Sequence, residues 1–135
     1  MGSTGRRVFG TFMVNGKPYS SNDLPLSEKY TRISFGDTGS SDKGSLKYQQ
    51  LPNGNIYIAS IVTHPDMRGQ GIGSALLNKV FDLADKRGLT VEIFASPTDS
   101  SISESQLYQW YENRGFVRQH DNQKWGDTML RAPKR

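Results

Sequence analysis

Residues 56–77 read Ile56-Tyr57-Ile58-Ala59-Ser60-Ile61-Val62-Thr63-His64-Pro65-Asp66-Met67-Arg68-Gly69-Gln70-Gly71-Ile72-Gly73-Ser74-Ala75-Leu76-Leu77. The first eight are mostly apolar and rich in β-branched residues, the composition of a buried strand. His64-Pro65-Asp66 breaks that run, and glycines at 69, 71 and 73 form a turn. A helix follows from about Gly71 to Lys86, with Ile72, Leu76, Val80 and Leu83 on one face, joined by Ala75 and Ala84. Arg87-Gly88 ends it with the cation and the glycine that suit a helix C-terminus. Residues 89–95 read as a further strand. A strand–helix–strand unit implies a parallel pair joined by a crossover, so the sheet is mixed and the domain is α/β or α+β.

Downstream, residues 97–101 read as a loop. Ser103 and Gln106 make a capping box for a helix reaching Asn113, stopped by Gly115. Residues 116–120 and 124–130 read as a closing hairpin around Asp121-Asn122. Upstream the chain is polar and turn-rich. Residues 8–14 read as a strand closed by Asn15-Gly16, and 17–29, with two prolines, as loop or short helix. Residues 30–35 and 45–51 read as strands, 36–44 as a loop and 52–55 as a hairpin turn. With no repeat and no linker, residues 1–135 form one domain, and 1–7 read as a flexible tail.

Composition narrows the function. At 34% hydrophobic and 22% charged, the chain is globular rather than disordered. No apolar run is long enough to span a bilayer, and the N-terminus lacks the apolar region of a signal peptide. The chain has no cysteine and two histidines, His64 and His120, which argues against a disulfide framework, a thiol nucleophile and a metal site. The expectation is a cytoplasmic protein with no metal and no membrane partner. A net charge of +4 favours anionic ligands. The basic residues are scattered, with pairs at Arg6-Arg7 and Lys134-Arg135, which argues against a nucleic-acid footprint. A second copy of the chain stays open as a partner.

The glycine turn is the first candidate site. Glycines remove side chains that would keep a ligand from the backbone, and the first amides of a helix have no partner inside it. With the dipole and Arg68, the turn suits a phosphate or a pyrophosphate. A P-loop would need a lysine after Gly73, where Ser74 stands. A dinucleotide fingerprint would need a third glycine, where Ser74 or Leu76 stands, although Glu92 lies about twenty residues on. Coenzyme A binding is the third reading.

Residues 61–77 resemble the acetyl-CoA-binding motif of the GNAT N-acetyltransferases, Arg/Gln-x-x-Gly-x-Gly/Ala after a strand ending in Val-x-Pro. Arg68, Gly71 and Gly73 fill the motif, and Thr63 and Pro65 take the Val-x-Pro positions. Leu107-Tyr108-Gln109-Trp110-Tyr111-Glu112-Asn113-Arg114-Gly115-Phe116 is similar to the family's Tyr-Glu-x-x-Gly-Phe helix end. The two elements make residues 56–130 the recognisable cofactor-binding part. The resemblance implies a single GNAT-like domain, with a central mixed twisted sheet, a splayed strand pair, flanking helices and a strand-rich N-terminal half. It implies acetyl-CoA as cofactor and a small-molecule or protein amine as acceptor. The backbone of Ile61, Val62 and Thr63 would face the pantetheine arm. The amides of Gly69, Gln70, Gly71, Ile72, Gly73 and Ser74 would hold the pyrophosphate, with Arg68 at its edge. Tyr111 matches the tyrosine near the cofactor sulfur.

Transfer of an acetyl group to an amine needs a neutral amine, a stabilised oxyanion and a leaving thiolate. Neutralising a lysine amine at pH 7 costs roughly 4.6 kcal/mol, part of which a base or a water relay supplies. A strand amide near Val62 or Thr63 can donate to the thioester oxygen. Tyr111, protonated at neutral pH, can serve the departing sulfur, and Tyr108, one turn earlier, is the second candidate. Tyr108, Trp110 and Phe116 also read as ordinary core residues. Glu92 is the candidate base, although a strand glutamate is more often a solvated or ion-paired residue, with Asp99 and His64 behind it. The sequence departs from the family in two places. Residues 96–101 lack the asparagine that many members place near the cofactor arm, where Ser101 and Ser103 are the hydroxyls at hand. The N-terminal half lacks the long amphipathic helices that shape the acceptor site, so the polar loops take that place. The leading expectation is an N-acetyltransferase. The alternatives are a catalytically silent coenzyme A sensor or adaptor, a dinucleotide-binding protein and a basic interaction domain.

Overall fold

The computed structural model describes residues 11–18, 24–36, 42–63, 71–95, 103–121 and 126–134. Among them the chain runs β1 (Thr11–Val14), β2 (Lys17–Pro18), β3 (Thr31–Gly36), β4 (Asp42–Gln50), β5 (Ile56–Thr63), α1 (Ile72–Arg87), β6 (Val91–Ala95), α2 (Glu104–Glu112), β7 (Val117–Arg118) and β8 (Asp127–Arg131). The strands form one sheet in the order β2-β1-β3-β4-β5-β6-β8-β7. The β5–β6 pair is parallel and the other pairs are antiparallel, so the sheet is mixed as the sequence implies. The tail 1–7 and the first residues of the strand expected over 8–14 lie outside the described residues.

The helices start and stop where local chemistry says they should. Gly88, at φ 68, accommodates the left-handed C-cap of α1 without a Cβ clash, and Lys86 and Arg87 sit in its last turn. Ser103 and Gln106 form both halves of the capping box of α2. Asn15 and Gly16, at φ 52 and 83, give the two left-handed residues of a tight hairpin turn joining β1 to β2.

Three expectations needed correction. The stretch 17–29, read as loop or short helix, opens with the two-residue edge strand β2. The loop expected over 36–44 gives up its last residues to β4, which begins at Asp42. Gly44 there pairs with Thr63, and a Cβ on it would come within 2.6 Å of the Ile72 side chain and 3.2 Å of the Val62 carbonyl oxygen. It is glycine because a helix packs on that strand, a reason its loop-like neighbours conceal. The closing hairpin is narrower than 116–120 with 124–130: Val117–Arg118 pairs with Met129 and Leu130, and β8 runs one residue further, to Arg131.

Helix α1 lies on β3, β4 and β5. Its Ile72, Leu76, Leu77, Val80, Phe81, Leu83 and Ala84 are buried against Ile33, Leu46, Ile56 and Ile58. Each large side chain so buried is worth roughly 1.5–3 kcal/mol. Phe81 meets Phe116 at 5.7 Å between ring centroids, which brings the end of α2 to the same face. By strand alternation the other face carries Arg32, Lys47, Tyr57 and Glu92. Residues 24–30 are laced to β4: the Tyr48 hydroxyl donates to the Pro25 carbonyl at 2.6 Å, and the Gln50 amide donates to the Ser27 carbonyl at 2.8 Å.

A bidentate pair locks β8 to α1. Arg131, 3% exposed, donates to both Asp85 oxygens at 2.9 and 3.1 Å and lies 4.1 Å over the Phe81 ring. The Arg131 hydrogen bond, and then the Lys134 amide, hold the Asp85 carboxyl below its usual 3.8. A depressed folded pKa means that this contribution is complete above about pH 3.8 and is lost as the pH falls below it. Asp85→Asn should cost about 2–3 kcal/mol at pH 7, below the roughly 3–5 kcal/mol of a fully buried pair because the Asp85 side chain is a quarter exposed. Urea unfolding at pH 7 and pH 3 checks this. The variant should lose less than the wild type on acidification, and a loss under about 0.5 kcal/mol at pH 7 would show the pair to be idle.

Candidate functional site

The first turn of α1 is an uncapped helix N-terminus. Gly71 is its N-cap, left-handed at φ 79 and ψ 13, and no side chain among the described residues caps the helix. No acidic residue stands in the first turn. The first intrahelical bond is Ala75 N–H to the Gly71 carbonyl at 2.9 Å, so no ladder bond engages the amides of Ile72, Gly73 and Ser74. A Cβ built on Gly71 meets no atom of the described residues within 4 Å. These features fit an anion. Arg68, Gly69 and Gln70, expected on the same turn, lie outside the described residues, as do His64 and Asp99.

Strand β5 opens a cleft beside that turn. Lys47 pairs with Ser60 and Tyr48 pairs with Ile58, so Ala59 is an extra residue, a bulge in β5. On its other side β5 pairs with β6 over three positions, ending at Ile58 with Ile93. Beyond that point β5 continues through Ile61, Val62 and Thr63 on β4 alone, and β6 continues to Ala95 on β8 alone. The two parallel strands therefore part at their C-terminal ends, the end from which β5 leads toward α1. Val62 is 58% exposed in the opening. Backbone groups of β5 on that side have no ladder partner among the described residues. They are free for an extended ligand to pair with.

The candidate catalytic side chains differ in their surroundings. Tyr111 is packed edge-on to Trp110 at 5.1 Å and to Phe116 at 5.5 Å, and is 8% exposed. Among the described residues its hydroxyl has no hydrogen-bond partner. Burial pushes its pKa up to about 12, against a smaller opposing pull from Arg114. It is a phenol held in the protonated form.

Tyr108 sits otherwise. Its hydroxyl accepts the Asp127 amide at 3.0 Å, and the Arg118 guanidinium lies 3.8 Å over its ring. Arg118 in turn pairs with Asp127. Tyr108 thereby holds the start of β8, beside Gly126, where any Cβ would fall on the Ala95 carbonyl oxygen. Glu92 sits on the helix-free face beside Tyr57, one residue before the strands part, and accepts the Asn55 side-chain amide at 3.2 Å. The anion turn and the cleft thus come together, with Glu92 at the cleft's vertex on the helix-free face.

Two contributors carry no signal in the sequence. Asn55 reads as a turn residue, yet it holds Glu92. Arg114 fills only an unspecified position of the Tyr-Glu-x-x-Gly-Phe helix end. It reaches back to the first turn of α1, where its Nη2 donates to the Ser74 hydroxyl oxygen at 2.7 Å.

A family model described as the acetyltransferase (GNAT) family matches residues 43–116. No curated protein sequence matches the chain significantly. Solved structures resemble it over about three quarters of the chain. A histone acetyltransferase HPA2-related protein from Corynebacterium glutamicum is 19% identical, with a TM-score of 0.59, over 78% of this chain and 66% of that one. The PaiA N-acetyltransferase of Thermoplasma acidophilum, solved in complex with coenzyme A, is 15% identical, with a TM-score of 0.61, over 76% and 60%. The anti-CRISPR protein AcrVA5 is 27% identical, with a TM-score of 0.56, over 73% and 96%. The chain spans less than two thirds of the first two relatives' length and nearly all of the third's.

Proposed function

The chain belongs to the GNAT acetyltransferase family, and from that premise we propose that it transfers an acetyl group from acetyl-CoA directly to an amine of a small molecule or a protein. One observation carries the reading: the cleft between the parting ends of β5 and β6 lies beside an uncapped, acid-free helix N-terminus. An arm that pairs like a strand and ends in phosphates fits both. Ile61, Val62 and Thr63 would hold the arm by backbone groups, and the amides of Gly71, Ile72, Gly73 and Ser74 the phosphates. Arg68, Gly69 and Gln70 belong to the same assignment.

Acetyl-CoA supplies an activated carbonyl on a thiol leaving group. The chain's own part is to hold and move protons. A β5 amide near Val62 donates to the carbonyl oxygen as negative charge gathers there. Glu92, steadied by Asn55, accepts the proton of the incoming amine directly or through water. Tyr111 gives its proton toward the departing sulfur, with Tyr108 the alternative donor. Burial of Tyr111 supports this, because it keeps the phenol protonated, with its O–H available to donate a hydrogen bond to the sulfur as negative charge gathers there.

The coenzyme A sensor reading remains the alternative, with the same binding and no turnover. Calorimetric titration with acetyl-CoA beside NAD tests the cofactor, and an amine acceptor screen then tests turnover. Micromolar acetyl-CoA affinity with none for NAD is the expected result. NAD binding in its place would overturn the proposal, and acetyl-CoA binding without any acceptor would turn it into the sensor.

A further inference from the structure

One contact that the mechanism does not use joins residues forty positions apart, at the first turn of α1. Arg114 donates through Nη2 to the Ser74 hydroxyl oxygen at 2.7 Å and through Nη1 to the Trp110 carbonyl at 2.8 Å. Its guanidinium carbon lies 3.7 Å from the centroid of the Trp110 ring, over its face. Two of its donors and its stacking face are used within the protein, so it is held rigidly.

Ser74 is the third residue of α1 after the Gly71 cap. A serine in the first turn of a helix can turn its oxygen to a backbone amide. Here the oxygen accepts from Arg114 instead, which leaves the hydroxyl proton free to donate outward. A charged donor on that oxygen also polarises the hydroxyl and makes it a better donor.

The charge itself is out of place. A cation beside the N-terminus of a helix opposes the macrodipole. Among the described residues no carboxylate pairs with Arg114, and partial burial already lowers its pKa. A guanidinium fixed there is favourable once an anion occupies the same place.

We infer that Ser74 and Arg114 act as one unit that completes the anion cradle, Ser74 as a hydroxyl donor to a coenzyme phosphate and Arg114 as the positioning residue and fixed counter-charge behind it. The inference rests on the coenzyme A reading above. It also gives α2 a second task, because Arg114 follows Tyr111 by less than one helical turn and its amide donates to the Tyr111 carbonyl at 2.9 Å. The phosphate end and the sulfur end of the cofactor would then be held by one short segment.

The test compares coenzyme A, by calorimetry, with pantetheine, by NMR titration; pantetheine has the arm and the thiol but no phosphates. Arg114→Gln should weaken coenzyme A about tenfold and leave pantetheine unchanged. Arg114→Lys, which keeps the charge, should stay within about threefold of the wild type. Raising the salt should weaken the wild type more than Arg114→Gln. Ser74→Ala should weaken coenzyme A several-fold, and the double variant should lose less than the product of the two single losses. If Arg114→Gln melts below the assay temperature, Ser74→Ala with the same two ligands decides the matter. Unchanged coenzyme A affinity, or equal weakening of both ligands, overturns the inference. A wild type that does not bind coenzyme A overturns the functional reading as well, and does so before any variant is compared.

Discussion

Gly71→Glu should lose coenzyme A binding by more than about a hundredfold while its fold persists. The substitution sets a carboxylate before the first turn of α1, where no atom of the described residues lies within 4 Å of the built Cβ. Two like charges about 4 Å apart at a protein surface cost about 4 kcal/mol, which is roughly a thousandfold in affinity. The control is Gly71→Ala. Both variants force an L residue to φ 79, at roughly 1–2 kcal/mol of stability, so both should melt lower by a similar amount. The alanine variant should bind within a few-fold of the wild type. Calorimetry and thermal melting separate the two effects. Coenzyme A binding by Gly71→Glu at wild-type strength would move the phosphate site away from α1.

Tyr111→Phe should lower kcat about a hundredfold, the low end for a lost proton donor, and leave the affinity for acetyl-CoA unchanged. The ring keeps its edge contacts with Trp110 and Phe116, and the hydroxyl gives up no hydrogen bond among the described residues. A loss of turnover therefore reports chemistry and not packing. With a pKa of about 12, the phenol keeps its proton across the working range, so any alkaline limb of the rate profile between pH 7 and 9 belongs to another group. The sign for stability follows. The unfolded phenol ionises near 10 and the folded one near 12, so folding weakens as the pH rises through that window. Tyr111→Phe should lose less stability than the wild type on going from pH 9 to 11. Equal turnover in the wild type and Tyr111→Phe would hand the proton to Tyr108 or to water. Steady-state rates with a responsive amine acceptor measure the first effect, and urea unfolding the second.

What the sequence determined by itself was local. The Gly71 turn, the end of α1 at Gly88, the Ser103–Gln106 box and the Asn15-Gly16 hairpin each rest on a few adjacent residues with one low-energy conformation. The apolar runs at β5 and α1 likewise set the parallel unit, because period 2 and period 3.6 are read along the chain. Tertiary structure decided what depends on a distant partner. The bulge at Ala59 exists only against β4, and the cleft exists because β6 leaves β5 after Ile93 to follow β8. Asp42 to Gly44 have the composition of a loop, yet they become strand because Phe35 and Gly36 on one side and Thr63 on the other offer ladders, and Ile72 leaves no room for a side chain at Gly44. The sequence ranks Tyr111 before Tyr108 by motif position alone and says nothing of the surroundings of either hydroxyl. One is tied to the Asp127 amide and the other is left with an uncommitted hydroxyl, a difference set by where β8 begins. Arg114 meets Ser74 only because the two helices share a face, and a contact between residues forty positions apart leaves no periodic or local trace in either segment.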